Sequence, residues 1–146
     1  MPRRAPAGPG VPAGERRDAL CCQHSACATA GELLGVATPA SVEFPSLVPL
    51  MRDASAVAHA ETFCCYRDFQ RSVRDTDHKL IVYPHLGRRQ LFHVAQGPWE
   101  MHDLSEDADQ RARAAAMFDR LVGLQAEVGN GLNLAEFPIP RPGAAS

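Results

Sequence analysis

A chain of 146 residues carrying a net charge of −2, with 45% hydrophobic and 22% charged residues, is long enough for one domain with a core and ordinary for a soluble globular protein. The charge excludes a general nucleic-acid binder, which needs clustered cations to displace counterions from phosphates. Here the single lysine, Lys79, and the arginines are scattered among acids. No window reaches the roughly 18–20 continuous apolar residues of a membrane-spanning helix, and the basic opening has no apolar run of the secretory kind, so the expected compartment is the cytoplasm.

Residues 1–26 are rich in Pro, Gly, Ala and Arg without apolar periodicity, and are expected to be a disordered leader. "TAGELLGVATP" predicts a short helix over Thr29–Leu34, stopped by Gly35. "SVEFPSLVPLMRD" carries Pro45 and Pro49 among apolar residues, which predicts an irregular segment leading into a helical turn near Leu47 to Met51.

From Glu61 the pattern becomes β. "ETFCCYRDFQRSVRD" and "HKLIVYP" form a hairpin turning at Asp75-Thr76-Asp77. "HLGRR" turns again through Gly87 into "RQLFHVA", giving three antiparallel strands. Trp99 in "GPWE" is expected to cover the end of this sheet with its N–H on a backbone carbonyl, and Glu100 to cap or bridge locally.

Ser105 then stands as the cap of a long helix, with Glu106, Asp107 and Asp109 at the positive end of its dipole. Ala108, Ala112, Ala115, Phe118, Leu121, Val122, Gln125 and Val128 make its apolar face. Gly129-Asn130-Gly131 ends it, and the tail from Phe137 to Ser146 is a proline-rich strap. The expected architecture is α+β: a small antiparallel β-sheet packed by one long C-terminal helix, its other face uncovered.

The five cysteines, Cys21, Cys22, Cys27, Cys64 and Cys65, are an odd set dominated by adjacent pairs, and do not suggest a disulfide framework. Cys22, His24 and Cys27, with Cys21 beside them, are soft enough for zinc, but no second ligand pair follows at a suitable spacing. Cys64 and Cys65 are expected to pack as small hydrophobes in a strand. His85, His93 and His102 fall in or beside the loops of the sheet, without a nucleophile or carboxylate at useful spacing.

Gln90-Leu91-Phe92 through Gly97-Pro98-Trp99-Glu100 to Leu104 resembles the Q-L-F-D-L-x-x-D-P-W-E-x-x-N-L run of sulfatases of the arylsulfatase type, members of the alkaline-phosphatase-like superfamily. Arg71-Ser-Val-Arg74 with Lys79-Leu80-Ile81 and Tyr83 is similar to that family's R-x-V-R…W-K-L-I-x-Y strand pair. Ser41-Val42-Glu43, Ser46-Leu47 and Pro49-Leu50 are similar to its S-V-E-G-x-S-L-x-P-L segment, and Thr29, Glu32, Leu33 and Gly35 to its P-T-L-x-E-L-A-G. The resemblance runs from about Cys27 to Leu134. It departs at His93 and Gly97, where the family has Asp, at His78, where it has an aromatic, and at Phe44-Pro45.

This resemblance implies the C-terminal subdomain of a sulfatase over residues 27–136, flanked by the 1–26 leader and the 137–146 tail. Sulfatases cleave sulfate esters with a formylglycine made from Cys or Ser in C-x-P-S-R or S-x-P-S-R, beside a calcium held by Asp and Asn. Neither motif is present, nor is an Asp-Asp or Asp-Asn pair, so no catalytic residue, metal ligand or cofactor is expected in this chain.

In the family this part packs on the catalytic half and lends side chains to the rim of the substrate pocket. The residues implied for that rim are Tyr66, Arg67, Gln70, Arg71 and His85. Read without the resemblance, Arg67 and Arg71 pair with Asp68 and Asp75 on a solvated face. The leading expectation is a truncated, inactive sulfatase piece. The alternatives are the non-catalytic half of a split sulfatase, binding a separate catalytic domain through an uncovered sheet face, and a small Cys/His metal-binding protein.

Overall fold

The computed structural model describes residues 3–4 and 14–137, and the chain divides into two compact units, Met1–Thr62 and Phe63–Ser146. In the first, two-residue strands β1 (Arg3–Arg4) and β2 (Arg16–Arg17) pair antiparallel. Helix α1 (Ser25–Leu34) begins one turn before the expected Thr29. Thr29 holds that turn: its hydroxyl donates to Ser25 O at 2.6 Å and accepts Leu47 N–H at 2.9 Å.

Gly35 ends α1 as expected, at φ 67°, where a side chain would be strained. Its amide reaches Glu32 O at 3.2 Å and Val36 N–H reaches Gly31 O at 2.8 Å, satisfying two carbonyls that the helix leaves unpaired. Helix α2 (Val48–Arg52) lies where the Pro45/Pro49 segment predicts a turn, with Val48 and Leu50 buried.

Of the expected leader, residues 1–2 and 5–13 lie outside the described residues. Residues 14–26 carry β2 and the start of α1, and Arg17 is tied down through Nε to Leu50 O at 2.9 Å. The proline-rich tail lies outside the described residues from position 138 onward.

The β region contains four strands rather than three: β3 (Thr62–Tyr66), β4 (Gln70–Arg74), β5 (His78–Tyr83) and β6 (Arg88–His93), paired in that order. The stretch expected as one strand folds back on itself because Arg67 adopts a left-handed φ of 48° and Phe69 N–H closes the turn on Tyr66 O at 3.1 Å. No glycine marks this turn. The second turn falls at Asp75–Asp77 as expected, with the Asp75 carboxylate accepting the N–H groups of Asp77 and His78. Gly87, at φ 56°, closes the third after a 3-10 turn at Pro84–Leu86.

Register divides the residues of the sheet between two faces. Val73 lies opposite Leu80, Leu80 opposite Leu91, and Val82 opposite both Arg71 and Arg89. Val73, Leu80, Val82 and Leu91 form one buried cluster with Ala114, Met117, Phe118 and Leu121 of helix α3 (Arg111–Glu127) and with Leu134. Fully burying side chains of this size is worth roughly 1.5–3 kcal/mol each.

The buried stripe of α3 is Ala114, Met117, Phe118, Leu121 and Gln125. Of the expected face, Ala112 and Val122 are exposed on α3, and Ala108 and Val128 are exposed outside it, in the preceding 3-10 turn and just past the last residue of the helix. The opposite face of the sheet is not open as expected either: Ile81, Phe92 and Val94 are buried.

Ser105 does not cap the long helix. A 3-10 turn at Ala108–Gln110 precedes α3, which starts at Arg111. The organising group is Asp103, whose Oδ1 accepts N–H from Leu91 at 3.1 Å and from Ser105 at 3.0 Å. Leu104 N–H then donates to Leu91 O at 2.7 Å, so the segment after Trp99 is laced along the outer edge of β6. This relieves the unpaired groups that an edge strand presents.

Candidate functional site

The β3–β4 turn and the 3-10 turn after β5 meet at one end of the sheet. His85 Nε2 lies 2.8 Å from Asp68 Oδ2. The His85 ring is 5.4 Å from Phe69 and 5.1 Å from Phe137, the latter edge-on, while Tyr66 is 6.4 Å from Phe69. The hydrogen bond from His85 holds the Asp68 carboxyl below the usual carboxylate range. Tyr66, Phe69 and Leu86 are exposed large apolar residues around this pair. The arrangement offers aromatic faces beside one imidazole–carboxylate contact, which is the chemistry of a contact surface.

Of the five residues expected at a rim, Tyr66, Arg67 and His85 are exposed at this end of the sheet, and Gln70 is half-buried. Arg71 is different, being 2% exposed. Its Nε donates to Gln125 Oε1 at 3.2 Å, one terminal nitrogen donates to Arg67 O and to Gln70 O, and the other donates to Asn130 Oδ1 at 3.1 Å. These bonds tie the β3–β4 turn to the C-terminal end of α3. Arg71 is an internal strut and not part of a rim. Nor does it pair with Asp75, whose cationic neighbour is Arg113 at 3.9 Å, while Asp68 is taken by His85 and not by Arg67.

Sequence reasoning missed Phe69, Phe137 and the role of Asp68. Phe137 comes from the far end of the chain, and the separation of 17 positions between Asp68 and His85 gives no local signal. At the β6 edge, Trp99 is 73% exposed instead of sealing the end of the sheet. The Gly97–Glu100 turn, with Glu100 at φ 53°, directs the carboxylate inward to Lys79 Nζ, at 2.9 and 2.8 Å from its two oxygens, and leaves the indole outside. Glu100 therefore bridges to a strand 21 residues earlier instead of locally. Trp99, Met101, His102, Phe92 and Leu104 line a groove of about 570 Å³.

Cys64 and Cys65, expected to be packed, are exposed on the outermost strand. In the first unit Cys22 Sγ lies 3.0 Å from His24 Nδ1, while His24 stacks on Phe44 with centroids 4.8 Å apart. Among the described residues no three His, Cys, Asp or Glu side chains converge to hold a metal ion. No helix among them is long and apolar enough to cross a membrane.

No family model matches the chain, and no curated protein does. Solved structures do. BT4656, solved with its substrate D-glucosamine-2-N,6-O-disulfate, superposes with a TM-score of 0.62 at 16% identity, over 71% of this chain and 24% of that one. BT1596, a 2-O GAG sulfatase, gives 0.53 at 21% identity over 72% and 25%. The phosphonate monoester hydrolase of Agrobacterium radiobacter gives 0.51 at 20% identity over 68% and 24%. The fold is that of the C-terminal part of sulfatases, and the chain spans about a quarter of the length of the structures it matches.

Proposed function

We propose that this chain is the C-terminal sheet-and-helix part of a sulfatase-type ester hydrolase, that it hydrolyses no sulfate ester by itself, and that its role is to dock on a catalytic part. The superposition on BT4656, over most of this chain and a quarter of that one, carries the reading. The sequence supports it: neither C-x-P-S-R nor S-x-P-S-R occurs, so there is no precursor for formylglycine. Calcium asks for six to eight oxygen ligands. The described residues bring together no group of three candidate ligands, so these residues do not fit that ion.

The same piece of fold accompanies a phosphonate monoester hydrolase and enzymes of sulfated sugars, which favours a supporting role over one that selects the ester. The partner half is the α/β catalytic part of such an enzyme. The docking surface is the exposed Tyr66, Phe69 and Leu86 around His85, with Trp99 and Met101 at the β6 edge. The compartment is the cytoplasm, whose reducing conditions suit five free cysteines.

Co-elution tests the docking. The 146-residue chain, mixed with a sulfatase catalytic part lacking its own C-terminal quarter, is expected to run as one complex in size exclusion. Tyr66→Ser, Phe69→Ser and Trp99→Ser together should abolish that complex. Separate elution of the unmodified chain, or unchanged co-elution of the triple variant, would overturn this surface.

A further inference from the structure

His78 and His93 stand directly opposite one another on β5 and β6, with ring centroids 4.4 Å apart, on the face of the sheet that α3 covers. His78 is buried, and its Nδ1 has no hydrogen-bond partner among the described residues. His93 Nδ1 accepts the N–H of Gln96 at 3.3 Å, which requires that nitrogen to carry no proton. The buried His78 ring thus lies beside a second imidazole with one of its own nitrogens unsatisfied.

Burial makes a proton on His78 unwelcome, and charged neighbours act in both directions. Arg113, from the first turn of α3, presents a like charge, while Asp75 and Asp77 of the β4–β5 turn each act in the opposite direction. Asp75 is already engaged by the N–H groups of Asp77 and His78 and by Arg113. A proton on His78 would bury a charge beside a second ring and a guanidinium.

We propose that the buried His78, packed beside His93, is an acid-sensitive joint: proton uptake there loosens the seating of α3 on the β5–β6 ladder and lowers the stability of the folded unit below neutral pH. Burial first, then His93 and Arg113, hold the His78 imidazole below the ordinary histidine value. A depressed imidazole leaves its stabilising contribution whole above the unfolded value of about 6.5, and that contribution is lost as the pH falls through the folded value.

Thermal melts of the full 146-residue chain between pH 7.5 and 5.0 test the proposal. Between these limits the unmodified chain should lose on the order of 4 °C more in Tm than His78→Phe, while His93→Asn, which keeps the burial of His78 and its Arg113 neighbour, should fall between the two. Parallel curves for the unmodified chain and both variants would overturn it. Where a variant fails to fold, the ring C–H resonances of the unmodified chain decide. Titration of His78 below the ordinary histidine value supports the joint, and titration at or above it refutes it.

Discussion

The side of the sheet beneath α3 and the end of the sheet around His85 are built from the same strands and could hardly differ more. Beneath α3, Leu80, Val82, Leu91 and Leu121 are almost wholly enclosed, and even the polar Arg71 and Gln125 have their hydrogen bonds inside. At the end, Tyr66, Phe69 and Leu86 face outward with one imidazole–carboxylate contact among them. One region is complete within the chain. The other exposes large apolar side chains.

Substitutions should separate the two. Leu121→Ala, under α3, is expected to cost about 3 kcal/mol, from lost transfer energy plus the cavity left behind, read as a lower denaturant midpoint. Arg71→Met should cost about 2 kcal/mol, because it strands Gln125, Asn130 and two turn carbonyls without their donor. A merely superficial Arg71 would leave the midpoint unchanged.

Asp103→Ala should cost about 1 kcal/mol at neutral pH. Burial raises the Asp103 pKa, but the N–H groups of Ser105 and Leu91, with help from the Ser105 and Gln90 side chains, outweigh that and hold it below the usual carboxylate range. Its contribution is present above the unfolded value of about 4 and is lost as the pH falls through the folded value. The stability gap between the unmodified chain and Asp103→Ala should therefore narrow toward pH 2. Phe69→Ser, at the exposed end, should change stability by less than about 0.5 kcal/mol.

Much of the enclosed region is legible in the sequence. The apolar run of "HKLIVYP", the turn at Asp75 and, in the first unit, the stop at Gly35 rest on local composition or turn chemistry, and all three stand where local rules put them. The exposed region is not legible, because long-range partners set it. Arg67 takes a left-handed turn conformation without a glycine, held through the guanidinium of Arg71.

Ser105 reads as a helix cap, yet Asp103 wins the local competition by accepting an N–H from a strand twelve residues earlier as well as one from Ser105. Similarly, Cys64 and Cys65 look like core residues in a strand. Their strand lies at the edge of the sheet, which composition cannot reveal.

The most direct measurement is turnover of an aryl sulfate ester by the purified 146-residue chain with calcium present. The account predicts no release of sulfate above buffer at any protein concentration. Turnover that rises in proportion to protein, and survives repurification, would contradict it.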